Sequence, residues 1–178
     1  MTNIAGRAKP NIPFAFPPEH KEAKKLERAN AAKVLRVFSK LVAQLDFKRR
    51  STFFSRDSGE VIQFLHLHKY TFGPYFRMHI CIRVLNDPTA TCNLSGTDER
   101  QLAEVGFEYG TEVESIQRCA EVMARFVSEF AEAWFSSWSN DALMSETSFL
   151  RPIARAALAA HVAGRPDETN ILASRALF

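Results

Sequence analysis

The sequence lacks a long apolar run: its most apolar stretches, Phe76 to Val84 and Phe126 to Trp138, are broken by Arg, His or Glu well before the ~18 residues that a membrane-spanning helix requires. No transmembrane helix is expected. Cysteine is scarce, and Cys81, Cys92 and Cys119 form an odd set without CxxC spacing, which argues against a disulfide framework and against a zinc ribbon. They read as reduced thiols, with Cys81 and Cys119 serving packing. Seven dispersed glycines leave no GxxxxGK[ST], no GxGxxG and no GxSxG, and no HExxH occurs either. No motif calls for a cofactor, and the positive case for an enzyme reduces to acid and base groups assembled from distant segments. At the N-terminus Arg7 and Lys9 are followed by Pro10, Pro13, Pro17 and Pro18, where a signal peptide would need a continuous apolar stretch. The cytoplasm is therefore the expected compartment.

What is present is a globular composition, 46% hydrophobic and 24% charged over 178 residues, enough for one core. The net charge of +3 is small, but residues 1–60 carry thirteen Lys/Arg against six Asp/Glu and residues 98–146 carry three against eleven. A basic and an acidic segment lying near each other in one fold account for this, as does a bipolar surface that meets a charged partner. The run Lys48, Arg49, Arg50 with Arg56 points weakly to nucleic acid, which the acidic helix would oppose at long range. Nucleic-acid binding is not expected.

Along the chain, residues 1–18 read as a flexible lead-in and 19–178 as a single domain. A helix begins near Pro18, with Leu26, Val34, Leu35, Phe38, Leu41, Val42 and Leu45 in one stripe. Residues 47–56 and 61–70 are rich in aromatic and branched types around the turn residues Asp57, Ser58 and Gly59, and predict a hairpin. Phe76, Met78, Ile80, Ile82 and Val84 alternate with Arg77, His79, Cys81 and Arg83, the clearest strand of the sequence. Residues 89–103 read as loop or a short helix around Asp98 to Ala103, and a further strand is expected over Glu104 to Tyr109. A long helix follows over 111–138, with Val113, Ile116, Ala120, Met123, Val127, Phe130, Ala131, Trp134 and Trp138 on its buried side. After a polar loop at 136–148, two helices at 150–163 and 167–177 are split by Gly164, Arg165 and Pro166. The fold class is α+β: an antiparallel sheet of three to five strands packed by the N-terminal and the long helix, with a C-terminal α-hairpin over 149–178 docked on it.

One constellation carries chemistry. If residues 61–70 and 75–86 form a hairpin closed by 71–74, Tyr70 pairs with Tyr75, His66 faces His79 and His68 faces Arg77. Leu65, Leu67, Met78, Ile80, Ile82 and Val84 then share one face, while Ile62, Phe64, His66, His68, Tyr70, Arg77, His79, Cys81 and Arg83 share the other. His66, His68, Arg77, His79 and Arg83 are the candidate ligand-binding residues, suited to a phosphate or to carboxylates. Opposite Cβ atoms lie about 5 Å apart, so His66, His68 and His79 alone form an alternative metal set; Arg77 and the lack of an orienting carboxylate oppose it. The third alternative is a polar face that is solvated or covered by a glutamate-bearing helix.

Residues 45–56 (LDFKRRSTFFSR), 61–69 (VIQFLHLHK) and 76–82 (FRMHICI) resemble the DUF4304 family of uncharacterised bacterial domains. The resemblance spans residues 25–135 and rests on Phe47, Lys48, Phe53, Arg56, Val61, Gln63, Lys69, Phe76 and Ile80, while His66 and His68 stand where that family's pattern has Asn and Gln. It implies an α+β fold, no assigned catalytic residues, and roles such as toxin immunity or partner binding. Residues 152–168 (PIARAALAAHVAGRPDE) are similar to one helix-turn-helix unit of a tetratricopeptide hairpin, which cannot bury its own face and must dock. The expectation is a non-enzymatic binding or immunity-type module for a protein or acidic ligand, compatible with homodimerisation through a sheet edge or the terminal hairpin. The alternative is a metal-dependent or acid-base enzyme centred on the histidines.

Overall fold

A computed structural model describes residues 18–178, so most of the expected lead-in lies outside the described residues. The chain opens with α1 (Pro18–Val42) and a 3-10 turn, Ala43–Leu45, stopped by Asp46 in the left-handed conformation. Four strands follow, β1 (Lys48–Arg50), β2 (Phe53–Ser58), β3 (Val61–Lys69) and β4 (Tyr75–Val84). After a loop come β5 (Gly96–Asp98), α2 (Glu99–Ala103) and β6 (Phe107–Glu108). The rest is helical: α3 (Val113–Phe126), a π-helical turn at Val127–Ala131, α4 (Glu132–Ser136), α5 (Asn140–Met144), α6 (Pro152–Val162) and α7 (Glu168–Ala176). The fold is α+β.

The sheet is antiparallel in the order β1-β2-β3-β4-β5, and β6 pairs with the start of β4. Its six strands exceed the three to five expected, for two physical reasons. The stretch 47–56 is folded back on itself at Ser51, whose φ of 57° makes a tight turn and sets Arg50 opposite Phe53. Strand β5 is three residues long, too short to show a period, and is held by backbone: a Cβ on Gly96 would lie 2.0 Å from the Ile80 carbonyl oxygen. Only glycine permits that approach.

The inner face of the sheet carries Phe54, Leu65, Leu67, Met78, Ile80, Ile82 and Val84, packed against Val34, Phe38, Ile116 and Met123 of α1 and α3. Phe38 meets Phe54 edge-on at 4.8 Å. Leu26, expected in this core, is 49% exposed on a part of α1 that precedes the core residues. The long helix is shifted in phase by its π turn: buried positions run Ile116, Ala120, Met123, Val127 and then Ala131 and Phe135. The extra residue per turn swings Phe130 outward, to 39% exposure, and the first-turn Val113 stays 73% exposed. The polar stretch 136–148 holds the short α5, capped by the Ser139 hydroxyl, which accepts from the Ala142 amide.

The C-terminal helices wrap the sheet end. Ala154, Ala157 and Leu158 of α6 join the inner core, whereas Ile171 of α7 packs on the outer face with Ile62, Phe64, Cys81 and Leu85. Asn86, 5% exposed, fastens the pair: its amide donates to the Ala157 carbonyl and its side-chain oxygen accepts from the Asp167 amide. The outer face is thus apolar beneath α7 and polar beyond it.

Candidate functional site

The β3-β4 ladder runs in the register that its alternation predicts: His66 is opposite His79 and His68 opposite Arg77. Neighbouring strands extend the row, because Phe53 of β2 is opposite His66 and Asp98 of β5 is opposite His79. Directly paired residues point to the same side of an antiparallel sheet. Phe53, His66, His79 and Asp98 therefore form one line across four strands on the outer face. The rings stack along it, with centroids 4.6 Å apart from Phe53 to His66 and 6.0 Å from His66 to His79.

A second rung lies toward the β3-β4 turn. His68 is exposed there, its ring 6.1 Å from that of Tyr70, and Tyr70 accepts a hydrogen bond from Arg100 at 3.1 Å. Arg77 donates to the Asp98 carboxylate in an ion pair, and its Nε has no hydrogen-bond partner among the described residues. Asp98 also caps α2, accepting from the amides of Arg100 and Gln101. The next residue, Glu99, is 2% exposed and accepts from the Met78 amide at 2.9 Å.

These contacts set the charge states. Burial lowers the pKa of His66, and the nearby His79 and His68 lower it further. Burial likewise lowers His79, aided by the Arg77 cation and opposed by Asp98. Burial alone would raise the Asp98 carboxyl, but the Arg77 guanidinium and the amides of Gln101 and Arg100 outweigh it and hold Asp98 below the ordinary carboxylate range. Burial raises Glu99. The imidazoles are thus biased toward neutrality around an Arg-Asp pair, and His66 keeps a buried Nδ1 with no hydrogen-bond partner among the described residues.

Of the five residues singled out from sequence, His66, His68, Arg77 and His79 lie together, and Arg83 stands apart. It is 4% exposed beneath α7, and its guanidinium donates to the Ser174 hydroxyl and to the carbonyls of Asp87, Thr89 and Thr91. Its donors are committed to the protein itself. The alternative metal set does not converge either: the rings of His66 and His79 lie nearly parallel, 20° apart, and His68 belongs to the next rung. Among the described residues, no group of three or more His, Cys, Asp or Glu is disposed to hold a metal ion.

Phe53, Asp98 and Arg100 are site residues that sequence reasoning missed. Phe53 follows from the β2-β3 turn once Ser58 is paired with Val61, which sets it against His66. Asp98 has a local signal, since Asp98 followed by Gln101 at the third helical position fits a capping box. Asp98 thus arrives opposite His79 from β5, with its carboxylate engaged by Arg77 and by the α2 amides.

Compared with protein-family models, with curated proteins and with solved structures, the chain finds no match in any of the three.

Proposed function

We propose that the protein is a non-enzymatic binding module whose outer sheet face takes an acidic segment of a partner protein. The observation that carries this reading is the row Phe53-His66-His79 with His68 and Arg77 beside it, left open where α7 ends its cover. Neutral imidazoles offer N-H donors to carboxylates, and become cations when a bound carboxylate raises their pKa. Arg77, whose side chain is 37% exposed, adds a guanidinium. Phe53 and Tyr70 supply ring faces for the apolar part of the segment. The resemblance to the DUF4304 domains is itself a proposal, and the partner-binding or toxin-immunity roles it implies agree with this reading.

Titration of the isotope-labelled protein with a deca-glutamate peptide at pH 6 tests it. Amide and imidazole signals of His66, His68, Arg77 and His79 are expected to move in a saturable manner, and Arg77→Gln is expected to weaken the binding. Signals that move only elsewhere, or none that move at millimolar peptide, would remove the proposal. Turnover in a broad hydrolase screen that disappears with His79→Gln would replace it with the acid-base enzyme reading.

A further inference from the structure

On the opposite side of the sheet, α1, the start of α3 and the edge strand β1 border an open cleft of about 520 Å³, inside the size range of small-molecule sites. Four cations line it, Lys33, Arg36 and Lys40 from α1 and Arg49 from β1, and no carboxylate does. The α1 cations arise from the helical period: residues 33, 36 and 40 recur at three and four, which puts them on one stripe. Arg49 joins them because Arg49 and Phe54 are paired and share the inner face.

These charges are largely unspent. Among the described residues neither Arg36 nor Lys40 has a hydrogen bond or an ion pair. Lys33 donates to the Asn30 side chain at 3.1 Å, a neutral partner. Arg49 uses its Nε on the Ser51 carbonyl at 2.9 Å, and its guanidinium lies 5.9 Å from the Phe54 ring centroid. Its terminal nitrogens have no partner among the described residues. Glu121 of α3 accepts a hydrogen bond from the side-chain amide of the lining residue Gln117 at 2.7 Å. The walls between the charges are apolar, formed by Val37, Ile116 and the 73% exposed Val113. An exposed valine beside four cations is a poor solvent surface and a good wall for a bound molecule.

We infer that this cleft binds a small molecule with two or more phosphates and a body that offers an apolar ring face, a nucleoside polyphosphate in chemical class. The phosphates meet Arg36, Lys40, Arg49 and Lys33, for which a polyanion is the complementary ligand. The body lies on Val37, Val113 and Ile116. This site is independent of the outer face, since the sheet separates the two.

Calorimetric titration of the full chain with ATP and, in parallel, with inorganic pyrophosphate tests the inference. ATP is expected to bind saturably and pyrophosphate at least about tenfold more weakly, because it carries two phosphates instead of three and lacks the body. The double variant Arg36→Gln/Lys40→Gln changes only exposed side chains and is expected to weaken ATP at least about tenfold, the scale of one lost charge-assisted contact. Arg77→Gln, on the outer face, is expected to leave ATP binding unchanged. Absence of saturable ATP binding, or ATP binding indifferent to Arg36→Gln/Lys40→Gln, would overturn the site. Equal affinity for pyrophosphate and ATP would overturn the apolar body.

Discussion

Replacing Arg83 by methionine tests whether this arginine is structural, as its geometry requires, or part of the ligand face. The guanidinium makes hydrogen bonds of 3.0 Å to Ser174 Oγ, 3.1 Å to Thr91 O, 2.7 Å to Thr89 O and 3.3 Å to Asp87 O. Methionine keeps the apolar stem and removes all four. Each charge-assisted bond is worth about 1.5–3 kcal/mol, but burial lowers the Arg83 pKa, so desolvation of the cation offsets part of that gain. The Thr91 carbonyl belongs to an exposed residue and can turn to water, whereas Ser174 is 0% exposed and cannot. The balance is a loss of about 3 kcal/mol, the lower end of the range for breaking a buried charged network. With a urea slope of about 2 kcal/mol/M, the unfolding midpoint falls by about 1.5 M at unchanged slope. Arg83→Lys, which retains charge without the fork, is expected to fall between. Deca-glutamate binding is expected to survive in both variants. A midpoint that moves by less than about 0.3 M, or a peptide affinity that collapses while stability holds, would refute the structural assignment.

Other consequences follow from the same geometry. Folded His66 and His79 hold pKa values below the ordinary imidazole value, so between the folded values and about 6.5 the unfolded chain binds more protons. Their contribution to stability is full above about pH 6.5 and is lost as pH falls toward the lower folded values; urea midpoints at pH 7.5 and 5.5 are expected to show the drop, and His66→Gln/His79→Gln to shrink it. Asp98→Asn keeps a good cap on α2 and frees Arg77, so peptide affinity is expected to rise several-fold while stability changes by under about 1 kcal/mol; weaker binding would mean that the carboxylate itself holds the ligand. Gly96→Ala drives a Cβ to 2.0 Å from Ile80 O, and a loss of about 2–4 kcal/mol with faster exchange of the Ile82 amide, which bonds Ser95 O across this edge, is expected. Unchanged exchange would show that β5 tolerates the side chain.

The β3-β4 half of the site was legible because two local signals agree: strict alternation in Phe76 to Val84 and a short turn at 71–74 fix register and face together. The other half was not. Phe53 reaches the site through the β2-β3 register that pairs Ser58 with Val61, which the turn residues alone do not specify, and Asp98 comes from a three-residue strand whose pairing depends on Gly96 lying against the β4 backbone. Docking of the terminal hairpin was expected, but the place where α7 docks was not legible, because its key contact is Ser174, a small polar residue whose value is that it leaves room for, and accepts from, Arg83. Long-range complementarity of that kind has no period to read. The phase shift in the long helix was hidden for a related reason: one extra residue in a π turn changes which aromatic is buried without changing composition.

Why an open row remains on the outer face follows from the dimensions of its cover. α7 runs across the strands, with Arg175 paired to Asp57 of β2, Ile171 on Ile62 and Phe64 of β3, and Ser174 on Arg83 of β4. A helix is about 10 Å wide and outward residues on one strand are about 6.8 Å apart, so a crossing helix covers two of them per strand. On β3 these are Ile62 and Phe64, and on β4 they are Arg83 and Cys81. The next outward residues, His66 and His68 on β3 and His79 and Arg77 on β4, are the first beyond its reach. The sequence changes character at that boundary, from apolar or fully bonded to imidazole and guanidinium. The row holds two imidazoles in a stack against Phe53, and the buried His66 Nδ1 has no hydrogen-bond partner among the described residues, at a cost of about 1–3 kcal/mol. Because that nitrogen is inaccessible to a ligand, the proposed acidic-segment contact rests on the other ring nitrogens and on the Arg77 ion pair at the open edge.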